Sequence, residues 1–265
     1  MFRVLIVLAF TLFGAACRTK PVIVSMLSPA VSTKDMAEKM QMLTNGYFEV
    51  PPALAAGMTQ RIFQVIALDR DEATFGCGAV IWHNGKLCLI TCAHAVMIDP
   101  TPAEAEAARL SNFAPINKTR ARASLLAKDY KNNLFSLKLV HWKRQFDLAL
   151  LEITDERGKV LPETITKITG HAEAGDEVYI AGFRQEIGRR AIPAAIEKYL
   201  PGINVNLGEL VLGVCRTCQP TFHGFSGGPV FAHDGETLVG INIAIRGNES
   251  YFSSPTNIQW LLSGK

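Results

Sequence analysis

Residues 224–231 read Gly224-Phe225-Ser226-Gly227-Gly228-Pro229-Val230-Phe231, a serine enclosed by glycines and running into an apolar segment. Glycine adopts backbone conformations closed to other residues. Gly224 and Gly227 therefore let the chain turn tightly about Ser226 and aim neighbouring N–H groups at one point. Convergent donors of this kind stabilise the oxyanion formed when a hydroxyl attacks a carbonyl. Alone, the stretch is an ordinary Gly-Gly-Pro turn, but two other segments change its weight. Leu89-Ile90-Thr91-Cys92-Ala93-His94 is an apolar strand ending at a histidine, and Phe146-Asp147-Leu148-Ala149-Leu150-Leu151 opens another strand with an aspartate. Separately, these are a hydrogen-bonded strand end and a turn residue. Together they supply what a serine nucleophile needs: an imidazole to take its proton, and a carboxylate to fix the tautomer and carry the imidazolium.

The surroundings are β-rich. Short apolar runs recur at Ile62–Leu68, Gly76–Trp82, Leu87–Thr91, Phe135–Val140, Leu148–Ile153, Glu177–Ala181, Glu209–Val214, Pro229–Phe231 and Leu238–Ile245. Between them lie His83-Asn84-Gly85-Lys86 and His233-Asp234-Gly235-Glu236, and Asn-Gly or Asp-Gly between apolar runs is a strong hairpin signal. The pattern predicts an all-β sandwich or barrel. Among 265 residues, 48% are hydrophobic and 19% charged, which excludes a disordered chain. With 21 Gly and 13 Pro and no sustained helical period, a helical bundle and a multi-span membrane protein are excluded too. A net charge of +3 gives no electrostatic ground for nucleic-acid binding. No internal repeat stands out.

The N-terminus has the anatomy of a secretory signal peptide over residues 1–16: Arg3, an apolar run from Val4 to Phe13, then Gly14-Ala15-Ala16. The run is shorter than the ~20 residues needed to span a bilayer, so no membrane span is expected. Cleavage before Cys17 would expose that cysteine as in bacterial lipoproteins, a lipid-anchored alternative to a periplasmic or secreted protein. Residues 18–58 read as an extension or linker with a short helix at Thr33–Leu43. Pro100–Asn117 reads as a surface insertion containing the helix-forming Pro102–Leu110 stretch, and Lys118, Arg120 and Arg122 as a solvated strand face. Five further cysteines remain, Cys77, Cys88, Cys92, Cys215 and Cys218. They read as small buried residues with at most one disulfide; a four-thiolate zinc site at Cys88, Cys92, Cys215 and Cys218 is the weaker alternative, and no metal is expected.

The order His94, Asp147, Ser226 is the one used by chymotrypsin-like enzymes. From Arg61 onward the chain resembles the trypsin-like, chymotrypsin-fold serine peptidases, nearest to HtrA/DegP-type and glutamyl-endopeptidase-type domains. Thr91-Cys92-Ala93-His94 resembles their T-A-A-H block, Asp147-Leu148-Ala149-Leu150-Leu151 their D-[IL]-A-[LV]-[LI] block, and Gly224–Pro229 their G-[DN]-S-G-G-P block. Secondary blocks at Gly175–Gly182, Gly235–Asn242 and Phe252–Asn257 follow in family order. The resemblance implies two six-stranded antiparallel β-barrels within residues 59–265, about 59–160 and 161–262, with the active site in the cleft between them. It implies an exported serine endopeptidase acting on protein or peptide substrates without a cofactor. His94, Asp147 and Ser226 would be catalytic, and the N–H groups of Gly224 and Ser226 would form the oxyanion hole. The alternative is a catalytically silent protein-binding module on the same fold. The chain stops at Lys265, soon after the Asn257 block, so no PDZ domain is expected.

Departures from the family carry their own expectations. Phe225 replaces the aspartate that pairs with a newly cut N-terminus in trypsin-type zymogens, so other contacts must hold the loop. Ala95 follows His94 where the family frequently has cysteine, which leaves Cys77 without its usual disulfide partner. Thr221 and Asn242 fall at substrate-pocket positions. Thr221 matches a threonine of glutamyl endopeptidases and 3C-like proteases, whose pocket histidine is replaced by Asn242. Pro220 stands where an Arg/Lys-specific enzyme carries aspartate, and a small polar or apolar substrate side chain is expected. His223 reads as a surface histidine.

Overall fold

Between Phe63 and Asp69 every second residue is buried, the period-2 signature of a strand with one face on a core. The computed structural model describes residues 50–69, 72–98, 119–154, 160, 162–168, 171–205, 209–217, 219–247 and 249–264. The expected signal peptide, the expected short helix at Thr33–Leu43 and the rest of residues 1–49, the expected Pro100–Asn117 insertion, Lys118 and Cys218 lie outside the described residues. The chain is mostly β. In order come β1 (Phe63–Asp69), β2 (Glu72–His83), β3 (Lys86–Cys92), β4 (Met97–Ile98), β5 (Arg120–Ala121), β6 (Ser124–Lys128), β7 (Leu134–Lys143) and β8 (Leu148–Ile153). Then follow β9 (Lys167–Ile168), β10 (Glu177–Arg184), β11 (Gly188–Val205), β12 (Glu209–Thr217), β13 (Pro229–Ala232), β14 (Thr237–Arg246) and β15 (Glu249–Ser253). Among the described residues three α-helices accompany them: α1 (Pro52–Gln60), α2 (Ala93–Val96) and α3 (Pro255–Leu262).

The first six-stranded ring closes in the order β1-β2-β3-β8-β7-β6. The second runs β10-β11-β12-β15-β14-β13 and closes by the pairing of β13 with β10. Both rings thus have one connectivity: three strands in sequence, then the last three in reverse, with the first strand paired to the fourth. The expected double barrel is the observed one, with one addition. β9 joins β14 in parallel, giving the second sheet a seventh strand.

Local sequence accounts for much of this. Asn84 and Gly85 both have positive φ, 50° and 75°, the requirement of the tight hairpin turn that pairs His83 with Lys86. Asp234 caps its own turn by accepting the N–H groups of Glu236 and Thr237. Phe63, Val65, Leu89, Phe135 and Leu151 help fill the first barrel, and Val178, Ile180, Val230 and Phe252 the second. Residues 76–81 are buried without alternation, because their outer face is covered as well. There Ala79, Ile81, Ile90, Leu148 and Leu150 meet Ile241 of the second barrel and Ile258 of α3. This part of the seam between the barrels is therefore apolar.

Two details differ from the sequence expectations. The last residues of the stretch read as an extension form α1, whose Met58 is fully buried with Cys77, Ala181 and Phe231. Arg120 and Arg122 are not simply solvated. Arg120 makes a two-pronged ion pair with Asp69 at 2.7 and 2.8 Å, and the Arg122 side chain is only 12% exposed. No helix among the described residues is long and apolar enough to cross a membrane.

Candidate active site

β3 ends at Cys92 and the chain turns at once into α2, which puts His94 at the rim of the first barrel. Asp147 follows a single 3₁₀ turn at Arg144–Phe146 and sits in the left-handed region at φ 50°, ψ 45°. Aspartate tolerates that region better than most residues. The conformation lets one residue grip α2 three ways. Its carbonyl accepts the Ala93 N–H at 3.0 Å, Oδ1 accepts the His94 N–H at 2.9 Å, and Oδ2 lies 2.6 Å from His94 Nδ1. From the second barrel, the Ser253 hydroxyl donates to the Phe146 carbonyl at 2.9 Å and braces the same turn. Asp147 is buried while the imidazole is about half exposed.

Withdrawal of the ring from water lowers the His94 pKa, but its electrostatic interaction with Cys92 and Asp147, with hydrogen bonding to both, outweighs this. The net position is well above the ordinary histidine value. In the sequence Cys92 stands only as a ligand of the weaker zinc alternative, yet its Sγ lies 3.5 Å from His94 Nε2. The signal was its spacing, two residues before the histidine where the family block has alanine. Ligand-type atoms of Cys92, His94 and Asp147 all fall within 4.8 Å of one another. They address opposite ring nitrogens, so no one ion would bind all three.

Ser226 lies on the loop between β12 and β13, and that loop presses on β3. A Cβ on Gly227 would stand 2.1 Å from Thr91 Oγ1 and 2.3 Å from the Cys77 carbonyl, with φ at +80°, so only glycine fits. Around Ser226 the loop is held by several backbone hydrogen bonds. Phe225 N–H donates to the Phe222 carbonyl, Gly227 N–H to Asn242, and Gly228 N–H to Phe225, at 3.0, 2.7 and 2.9 Å. The Ser226 carbonyl accepts from Cys77 N–H at 2.7 Å. The N–H groups of Gly224 and Ser226 have no protein acceptor among the described residues. The structure thus bonds His94 to Asp147 and brings the Ser226 loop against the same strand end. A Ser226–His94 hydrogen bond is not among the described contacts, and such bonds commonly tighten only around substrate.

Phe225 is fully buried against Ile192 and Phe222, and a Cβ on Gly182 would strike its ring at 2.4 Å. An apolar socket holds the loop where trypsin-type enzymes use an ion pair. Thr221 and Asn242 are both buried. Thr221 accepts from the Ser250 hydroxyl at 3.1 Å, and Asn242 Nδ2 donates to the Phe225 carbonyl at 3.2 Å, leaving Oδ1 unpartnered among the described residues. Asn242, expected at a pocket position, therefore holds the Ser226 loop. His223 is exposed, as expected. Cys77, Cys88, Cys92 and Cys215 are unpaired buried thiols, and Cys88, Cys92 and Cys215 do not form one cluster.

Comparison with known proteins agrees with this fold. The family model of a trypsin-like peptidase domain matches residues 76–241. No curated protein matches the sequence. Among solved structures, the active form of the Rv3671c protease from M. tuberculosis superposes with a TM-score of 0.59 at 18% identity, covering 83% of this chain and 92% of that one. Its inactive form gives 0.57 at 17%, covering 83% and 98%. The HtrA-type protease AlgW with a tripeptide gives 0.56 at 15%, covering 78% of this chain and 61% of that one. At these identities the likeness is one of fold.

Proposed function

Because the chain belongs to the trypsin-like peptidase family, we propose that it is an exported serine endopeptidase that hydrolyses peptide bonds through an acyl-enzyme on Ser226. His94, held in one tautomer by Asp147, takes the Ser226 proton as the hydroxyl oxygen attacks the scissile carbonyl carbon. The carbonyl π pair moves to oxygen, and the N–H groups of Gly224 and Ser226 receive the oxyanion. Collapse expels the amine, which leaves with the proton from His94. Water then attacks the ester with His94 again as base, releasing the acid and restoring Ser226. None of these steps uses a metal or organic cofactor. The observation that carries the reading is the hydrogen bonding: Asp147 and His94 are doubly joined, and the N–H groups of Gly224 and Ser226 have no protein acceptor among the described residues.

Thr221 and Asn242 offer no charge, which favours substrates with a small polar or apolar side chain before the cut over arginine or lysine. Export rests on the Arg3–Ala16 segment. One observation favours the silent binding module instead, since His94 Nε2 faces the Cys92 sulfur. A fluorophosphonate probe separates the two readings. The folded mature protein is expected to label and Ser226→Ala is not; absence of Ser226-dependent labelling leaves the binding module. Mass spectrometry of the same preparation is expected to find the chain starting at Cys17, free or lipidated, and an intact Met1 refutes export.

A further inference from the structure

Cys77 belongs to β2 in the first barrel, yet it is tied to the nucleophile loop of the second on both sides of Phe225–Ser226. Its backbone N–H donates to the Ser226 carbonyl at 2.7 Å. Its thiol donates to the Gly224 carbonyl, with Sγ to oxygen 3.1 Å. The same sulfur accepts the Phe183 N–H from β10 at 3.0 Å, and the Cys77 carbonyl accepts the Thr91 hydroxyl at 2.6 Å. The thiol has both a donor and an acceptor role to fill, and both partners are present.

The two pinned carbonyls lie in the peptide units before and after the one that joins Phe225 to Ser226. A peptide unit is planar and turns only as a whole. Fixing its neighbours on each side removes its freedom to swing the Ser226 N–H away from the substrate. Fixing the Gly224 carbonyl restrains that glycine, whose φ of 98° belongs to a residue with no side chain to hold it in place. The Phe225 side chain supplies packing but no polar anchor; its carbonyl, on the same unit as the Ser226 N–H, accepts from Gly228 N–H and Asn242 Nδ2, and the Cys77 contacts add restraint on either side of that unit.

Resting on the serine-peptidase reading, we propose that Cys77 is a positioning residue for the oxyanion hole, its neutral thiol bridging Gly224 and Phe183 in the place of an ion pair to the loop. The thiol is suited to that part because it is fully buried, and burial, only partly offset by the Phe183 N–H, pushes its pKa up to about 12. It therefore stays protonated, and a donor, throughout the range in which a histidine base operates.

The test compares Cys77→Ala and Cys77→Ser with the wild-type protein by steady-state kinetics on one peptide substrate and by thermal melting. Loss of one net hydrogen bond at the loop is expected to lower kcat about five- to thirtyfold in Cys77→Ala. KM is expected to stay unchanged, and Cys77→Ser, which keeps a donor and an acceptor, to recover most of kcat whatever its melting point. An aldehyde inhibitor, whose adduct places an oxyanion in the hole, should weaken in parallel with kcat. Unchanged kcat in Cys77→Ala overturns the proposal, and so does a loss that follows melting temperature and that serine does not restore. Failure of the wild-type protein itself to label with fluorophosphonate removes the peptidase reading and this proposal together, which sets that failure apart from a labelled enzyme indifferent to Cys77.

Discussion

Asp147 spends its carbonyl and both carboxylate oxygens on α2, so one residue fixes the place, tautomer and charge of His94. Replacing it with asparagine keeps the shape and the tolerance for φ 50° but puts a neutral amide beside Nδ1. Activity is expected to fall by about 10⁴. The pH profile supplies a second check. A general base works when neutral, so the raised pKa of His94 places the acid limb of kcat/KM above the ordinary histidine value. Asp147→Asn removes one cause of the rise, and the residual activity should show that limb at lower pH. Stability follows the same linkage. A group whose pKa is raised on folding stabilises fully below its unfolded pKa and loses the contribution as pH climbs through the folded one. The denaturation gap between wild type and Asp147→Asn is thus widest just below the ordinary histidine value and closes at higher pH. A gap independent of pH would refute this assignment. At this scale the sequence was most legible: His94, Asp147 and Ser226 are marked by short local patterns. The partners of Cys77 were not, because Gly224 is 147 positions away and no local pattern encodes the meeting.

Among elements, α1 and β11 were the least visible. α1 opens with Pro52 and is rich in good helix formers, Ala53, Leu54, Ala55, Ala56 and Met58, but at nine residues it is too short to show a sustained period. Tertiary contact holds it: Met58 is buried under Cys77, Ala181 and Phe231, and Leu54 comes within 2.5 Å of where a Cβ on Gly235 would stand. Met58→Ala is expected to cost about 2–5 kcal/mol, read as a lower midpoint in chemical denaturation. An unchanged midpoint would show that the helix is an ornament on the barrel. β11 is an 18-residue strand carrying Pro193 and Pro201, which argue against a central strand. The structure resolves the conflict by dividing its partners. β10 pairs with Gly188–Ala195 and β12 only from Ile196 onward, so each proline lies where one edge of the strand has no ladder to complete.

For the whole molecule, the shared strand order of the two barrels had no counterpart as a sequence repeat. The repetition is one of connectivity, which a chain can preserve while every apolar residue is exchanged for another that fills the same volume. What joins the halves is partly polar. Arg189 on β11 donates to the carbonyls of Ile62, Lys128 and Asp129 in the first barrel, at 3.1, 3.4 and 2.5 Å. Arg189→Ala leaves those carbonyls without their charged donor and is expected to destabilise the folded chain by about 1.5–3 kcal/mol, with Arg189→Lys recovering only part of it. Equal denaturation midpoints for all three proteins would refute the clamp. Under the proposed export, the seam has a further meaning. In the proposed site the base comes from one barrel, and the nucleophile with its oxyanion donors from the other. Under the proposed mechanism, hydrolysis then requires two folding events and their docking, like a lock that opens only to two keys turned together. A chain still being threaded through an export channel, or one with either half unravelled, holds every residue of the site and cuts nothing.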